Sequence, residues 1–213
     1  MRNCVIFCAG ECVGPDLPIN PEDIVIAADG GLLHLQKLGL QPNLILGDFD
    51  SLGYVPEGAN VFPVEKDDTD SMLAVRKGLE LGYRRFEIYG ALDGDRLDHT
   101  IANLQTLHFL AEHGAVGYLV GLRHTVTVVR NGCIRFPKEA KGILSVFCLT
   151  QDTKGVCLRG LKYPMENGTL TSGFPLGVSN HFIGEEAVVA AGDGMVTVVY
   201  DTVNAFPTEE AIC

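Results

Sequence analysis

The chain has 213 residues, 46% of them hydrophobic and 20% charged, which is the balance of a globular protein long enough for one large domain or two small ones. Sixteen Lys and Arg against 27 Asp and Glu leave a net charge of −11 with no basic stripe, which argues against nucleic acid as a partner. No apolar run approaches the roughly 18 residues of a membrane span, and the first 14 residues lack the apolar core of a secretory signal, so no membrane partner and a cytoplasmic location are expected.

"CVIFCAG" and "DIVIAADG" read as buried strands, each running into glycine. "LLHLQKLGL" reads as a short helix stopped by Gly39 and Pro42. "NLILGDFD" and "NVFPVE" are the next strands. Residues 69 to 81 predict a helix with Met72, Val75 and Leu79 on one face and Gly82 as its stop. After the strand "RFEIYG", "DHTIANLQTLHFLAEHG" predicts a second amphipathic helix through Ile101, Leu104, Leu107 and Leu110, and the strand "AVGYLVG" follows. Strands alternating with helices imply a parallel-sheet α/β domain.

Beyond about residue 131 the pattern changes. "CIRFP", "ILSVFCLT", "GVCLRGL", "GTLTSG", "AVVAAG" and "MVTVVYD" are short β-rich runs punctuated by Gly, Pro and Asn. They predict an all-β sandwich or small barrel. The expected layout is an α/β nucleotide-binding domain over residues 1–130 followed by a β-sandwich over 131–213. Seven cysteines (4, 8, 12, 133, 148, 157 and 213) include no C-x2-C pair and read as small buried hydrophobes in a reducing compartment.

Ligands of open α/β sheets bind beyond the carboxyl ends of the strands, and the acids of this chain gather there. Asp29 closes "IVIAAD" and precedes Gly30 and Gly31, which would let a phosphate approach the amides of a helix start. Asp48 and Asp50 follow "NLIL". If the segment stays extended, both project to one side, because the side-chain period of a strand is two. Two carboxylates that close raise each other's pKa unless a cation lies between them. Mg2+ held by one or two carboxylates and completed by phosphate oxygens fits that need. The plainer alternative is a turn or N-cap built by Asp50 and Ser51.

"EKDDTDS" adds Asp67, Asp68 and Asp70 at a helix start, where Thr69 or Asp68 serves as N-cap and Asp70 points back to the loop edge. "GALDGDRLDHT" adds Asp93, Asp95 and Asp98, together with Arg96, which is suited to bidentate contact with phosphate or carboxylate. Asp98 caps the next helix or holds metal or substrate. His99 is an ordinary packed histidine or a nucleotide contact.

"ADGG", "GDFDS", "D-x-TD" and "G-x-x-x-G-x-R-x-DH", in this order and with these gaps, resemble the thiamine pyrophosphokinase family. "VSN" at Val178-Ser179-Asn180 is similar to part of that family's second domain. The resemblance implies an α/β nucleotide-binding domain and a β-sandwich, arranged as a homodimer with active sites at the interface. It implies transfer of diphosphate from ATP to thiamine, giving AMP and thiamine diphosphate with Mg2+. Asp48, Asp50, Asp70 and Asp98 match the family's acidic residues around metal and phosphates, and Arg96 matches the arginine of R-x-D. Ser179 and Asn180 match its thiamine-side pair. Asp29, Gly30, Gly31, Thr69, Arg96 and His99 are expected on the nucleotide. Asp70 or Asp98 would act as base on the substrate hydroxyl, with Arg96 beside the transferring group.

Asp93 and Asp95 depart from the smaller or basic residues expected in that loop. The chain also contains no Trp, which leaves Phe182 and Phe174 as stacking candidates for thiamine. Other readings are a diphosphokinase acting on another alcohol, such as a pterin, and a non-catalytic nucleotide or metal sensor. A sugar transferase that uses "DFD" lacks the length for a second sugar-binding domain.

Overall fold

In the first part of the chain every strand pair is parallel, as alternating strand and helix signals demand. The computed structural model describes residues 2–15, 19–50, 52–63, 67–150 and 152–210. It divides into two units, Met1–Leu122 and Arg123–Cys213.

The first unit contains β1 (Cys4–Phe7), β2 (Ile24–Ala28), α1 (Gly31–Leu38), β3 (Leu44–Gly47), β4 (Asn60–Val61), α2 (Asp70–Glu80), β5 (Arg85–Tyr89), α3 (Leu97–Glu112) and β6 (Val116–Val120). Its sheet runs β4-β3-β2-β1-β5-β6. The chain leaves β1 toward β2, β3 and β4, then returns to the other side of β1 as β5 and β6. Strand order therefore reverses at β1/β5, and the segments that follow these two strands diverge into a crevice at the carboxyl edge. The core strands are close to continuously apolar, as strands covered on both faces must be, with Cys4, Ile6, Phe7, Ile26, Ala27 and Phe86 at 0% exposure.

Helix boundaries follow local chemistry. Gly39 takes a left-handed φ of 68° to close α1. The Thr69 hydroxyl accepts the Met72 N–H at 3.2 Å to start α2, and Gly82, at φ 84°, donates its N–H to the Leu79 carbonyl to stop it. The buried faces match the expected ones only in part: Val75, Leu107 and Leu110 are buried as anticipated. α2 buries Ser71, Ala74, Val75 and Gly78, leaving Met72 and Leu79 half-buried. A Cβ on Gly78 would lie 2.5 Å from the Phe86 ring and 2.8 Å from Cys4 Sγ, so small residues let this helix approach the sheet closely. α3 buries Asn103, Thr106, Leu107 and Leu110, while Ile101 is 52% exposed. Asn103 is buried on α3 because its Nδ2 donates to the Ala91 carbonyl outside the helix.

The second unit contains β7 (His124–Phe136), β8 (Ile143–Phe147), β9 (Thr153–Arg159), β10 (Met165–Leu170), β11 (Gly177–His181), β12 (Ala187–Asp201) and β13 (Thr208–Glu210), all in antiparallel pairs, with no helix among the described residues. It starts earlier than the expected residue 131, because His124–Arg130 pair with Met195–Asp201 of β12. "AVVAAG" and "MVTVVYD" prove to be one strand. The Gly192–Gly194 stretch is a register break opposite Asn131-Gly132, where the Asn131 side chain accepts the Gly194 N–H at 3.0 Å. β12 pairs with β9 before this break and with β8 after it, around a core that includes Phe136, Leu144, Val146, Val156, Val189 and Tyr200. Among the described residues no helix is long and apolar enough to cross a membrane.

Candidate active site

The crevice at the carboxyl edge of the parallel sheet is a cleft of about 730 Å³, within the size range of small-ligand sites. Asp29, Asp48, Asp50, Asp68, Thr69, Asp70, Asp93, Asp95, Arg96 and His99 line it, so the acidic loops anticipated from sequence open into one cavity.

Asp29 joins the Asp48/Asp50 pair through the sheet. Its N–H donates to the Leu46 carbonyl at 2.8 Å, at the end of β3, and its own backbone is left-handed at φ 47°. Gly47, at φ 151°, lies tightly against it: a Cβ there would be 3.1 Å from Asp29 Cα. One carboxylate oxygen from each of Asp29, Asp48 and Asp50 lies within 4.8 Å of the others, a spacing that suits a shared hard cation. The Asp48/Asp50 pair is not presented by an extended strand, as the period-two argument required. β3 ends at Gly47, and Phe49 turns left-handed at φ 60° while its side chain stays 2% exposed. The Asp50 N–H donates to Asp48 Oδ1 at 3.3 Å, so a turn with a buried aromatic anchor brings the two acids together. A bulky residue held at positive φ is backbone strain of the kind that collects at functional sites. Ser51, which ends the motif, lies outside the described residues.

Asp70 is the first helical residue of α2, after the Thr69 cap. Asp68 is tied back by an ion pair with Arg76 at 3.1 Å. The thiol of Cys8, beyond β1, also lines the cleft; burial first, and then the nearby Asp70 charge, push its pKa up to about 12.

Two expected features fall elsewhere. Gly30 and Gly31 do not line the cleft. A Cβ on Gly31 would overlap the Phe7 carbonyl and stand 2.9 Å from Cys8 N, so this glycine lets α1 dock against β1. Asp98 also lies outside the lining. α3 begins at Leu97 with Arg96 at its cap position, and Asp98 neither caps it nor faces the cleft. It is instead gripped by Arg96, whose Nε and Nη2 donate to its two oxygens at 3.0 and 2.6 Å. Those hydrogen bonds pull the exposed Asp98 carboxyl down to about 2.

Asp93, which departs from expectation in sequence, has a structural partner: its Oδ2 accepts the Leu122 N–H at 2.6 Å, and its carbonyl accepts the Glu11 N–H at 2.9 Å. Sequence reasoning missed the near wall of the cleft, formed by Cys8, Ala9 and Gly10 against Gly90 and Ala91. A side chain on Gly10 would strike the carbonyls of Asp93 and Gly90, and Gly90 has a φ of 66°; the glycines at both strand ends were the available signal. Ser71 and Asn103 were also missed. A polar residue at a core-facing helix position was the clue to Asn103.

In the second unit Ser179 is exposed, at φ 60°, and its N–H donates to Ser145 Oγ at 3.0 Å. Asn180 is only 3% exposed, and its amide is occupied. Oδ1 accepts the N–H groups of Tyr163 and His181 at 2.9 Å each, and Nδ2 donates to the Tyr163 carbonyl at 2.7 Å. It clamps the 161–164 segment, with Oδ1 and one of its two amide N–H groups engaged. Phe182 packs edge-on against core Phe136 with centroids 5.2 Å apart, whereas Phe174 is 65% exposed.

Comparison with known proteins adds an independent line. The family model "Thiamin pyrophosphokinase, catalytic domain" matches residues 17–116, and "Thiamin pyrophosphokinase, vitamin B1 binding domain" matches residues 132–196. The chain is 27% identical over 186 residues to thiamine pyrophosphokinase of Bacillus subtilis, covering 83% of this chain and 86% of that protein. The crystal structure of thiamine pyrophosphokinase from Bacillus subtilis superposes with a TM-score of 0.79 at 25% identity, over 95% of this chain and 99% of that one. That of a thiamin pyrophosphokinase family protein from Enterococcus faecalis superposes with a TM-score of 0.76 at 30% identity, over 94% and 98%.

Proposed function

The chain belongs to the thiamin pyrophosphokinase family, enzymes that form thiamine diphosphate from thiamine, and from that premise we propose that it transfers diphosphate from ATP, releases AMP and requires Mg2+. The observation that carries the reading is the meeting of Asp29, Asp48 and Asp50 in a cleft that also holds Asp70 and Arg96. ATP brings four negative charges to a chain of net charge −11, and the triad's 4.8 Å spacing fits a divalent ion that offsets them. Asp29, Asp48 and Asp50 would hold it, and bound there it would neutralise charge on the phosphates.

The remaining chemistry falls to the chain's own groups. Asp70, at the cleft wall, serves as proton acceptor for the thiamine hydroxyl. Asp98 is the weaker candidate, since it lies outside the cleft lining that holds Asp70. Arg96 lines the cleft and, on exchanging Asp98 for a phosphate, would stabilise charge on the transferring group. Thr69 and His99 complete the nucleotide side. Thiamine is assigned to the second unit around exposed Ser179, with Phe174 as stacking candidate and Asn180 holding the neighbouring segment in place.

We further propose a homodimer. Leu97 and Ile101 in the first unit and Phe174 and Leu176 in the second are all more than half exposed, which is apolar surface that a second copy would bury.

The test is direct. Purified protein with ATP, Mg2+ and thiamine should yield AMP and thiamine diphosphate in equal amounts, resolved by anion-exchange chromatography. Folded protein that yields thiamine diphosphate with ADP, or without AMP, overturns the ATP-to-AMP assignment.

A further inference from the structure

A buried polar chain crosses the cleft floor, and its members beyond Thr69 have no part in the chemistry above. Thr69 Oγ1 and Ser71 Oγ are 3.0 Å apart, Ser71 Oγ donates to Asn103 Oδ1 at 2.7 Å, and Asn103 Nδ2 donates to the Ala91 carbonyl at 2.7 Å. Its direction is fixed. Ser71 has one proton, which is spent on Asn103, so it accepts from Thr69; Thr69 in turn accepts the Met72 N–H. Ser71 and Asn103 are 9% and 6% exposed, so the chain runs through the interior.

The chain joins three separate pieces: the start of α2, the interior of α3, and the segment after β5. It flanks Asp70 on both sides, at residues 69 and 71. It ends at Ala91, beside Gly90, whose carbonyl accepts the N–H of Gly10, in the segment after β1, at 2.9 Å. Alanine or leucine would fill the Asn103 position in a helix whose other buried residues include Leu107 and Leu110. A satisfied buried polar pair adds little net stability over an apolar one, but it fixes relative orientation.

We infer that Asn103 and Ser71 are positioning residues that hold Asp70 in register with the Gly90–Arg96 wall during the transfer. This rests on the assignment of Asp70 to the reaction. Misplacing a reacting group by about 1 Å costs on the order of a hundredfold in rate.

The experiment compares Asn103→Ala, Ser71→Ala, their double variant, and Thr106→Ala as reference. Thr106 is 1% exposed, its hydroxyl donates to the Ala102 carbonyl of its own helix at 3.1 Å, and it does not line the cleft. Each single variant should lower kcat about 10- to 100-fold with KM for thiamine unchanged within about twofold, and the double should be no worse than the poorer single. Thr106→Ala should keep kcat within about twofold. If Asn103→Ala does not fold, by near-ultraviolet circular dichroism, Ser71→Ala carries the test alone. Multiplying losses in the double variant, near-normal kcat in Ser71→Ala, or an equal loss in Thr106→Ala overturns the inference. Failure of the ATP reading is seen separately, on the unmodified enzyme. Mn2+ affinity by electron paramagnetic resonance, which reads Asp29, Asp48 and Asp50 rather than Asp70, should hold within about threefold in both single variants, and a loss of about tenfold or more, the mark of a collapsed cleft, overturns the inference.

Discussion

Gly31→Ala separates a packing role for this glycine from the phosphate-binding role that its place before a helix invites. The new Cβ would overlap the Phe7 carbonyl and stand 2.9 Å from Cys8 N, against the 3.4 Å at which ordinary contact begins. Both obstacles are backbone, and neither rotates away. β1 is hydrogen-bonded to β2 on one side and β5 on the other, so the eight-residue α1 is the element that must move. Overpacking of this kind costs about 1–3 kcal/mol, and backbone contact puts it at the upper end, about 3. Relief of the glycine's helical entropy returns at most about 1 kcal/mol. The net loss of about 2 kcal/mol lowers Tm by about 4–8 °C for a chain of this size. The assay is thermal denaturation by circular dichroism, with Gly173→Ala as reference, because a Cβ there meets nothing within 4 Å. Nucleotide affinity, measured by calorimetry, should hold within about threefold, since the cleft is lined by the segment after β1 and not by α1. An unchanged Tm combined with a tenfold loss of nucleotide affinity would refute the packing argument and return Gly31 to the phosphate.

Removing a carboxylate from the triad should have opposite signs with and without metal. Asp48→Asn relieves repulsion with Asp29 and Asp50, raising Tm by about 2–4 °C in chelator, and abolishes the stabilisation by Mg2+ seen for the unmodified protein; equal Mg2+ shifts in both proteins count against the triad. Asp98 should titrate at about 2 by carbon NMR. Its folded pKa lies below the ordinary carboxylate value, so the stability from its pair with Arg96 is present above about pH 4 and is lost as pH falls toward 2. A midpoint near 4 would mean the pair does not persist in solution. Asn180→Ala deletes three hydrogen bonds in a buried setting and should cost about 2–4 kcal/mol while exposing the Tyr163 amide to rapid hydrogen exchange; retained protection there would disprove the clamp. Cys8, a buried thiol held at about 12, should resist iodoacetamide at pH 8 in the folded protein, and fast alkylation would show that the cleft wall opens.

Much of this protein is written in local patterns. Alternating strand and helix periods gave the parallel unit, and the turn-rich β runs gave the antiparallel one, because these periods report which side of an element is dry. The placement of acids after strands foretold a shared cleft, since successive parallel strands carry their carboxyl ends to one edge. Tertiary structure decided which acids lie together. Asp29 joins Asp48 and Asp50 through the pairing of β2 with β3, whereas Asp98, two residues from Arg96, is captured by it. The bonds that redefine Asn180, Asp93 and Asn103 reach partners 17, 29 and 32 residues away, and no local period encodes such a distance. Gly31 was visible as a glycine before a helix, but only the approach of α1 to β1 shows what its missing side chain is for. Sequence sets each side chain's chemistry and local direction; its partner is chosen by what folding brings within about 3 Å.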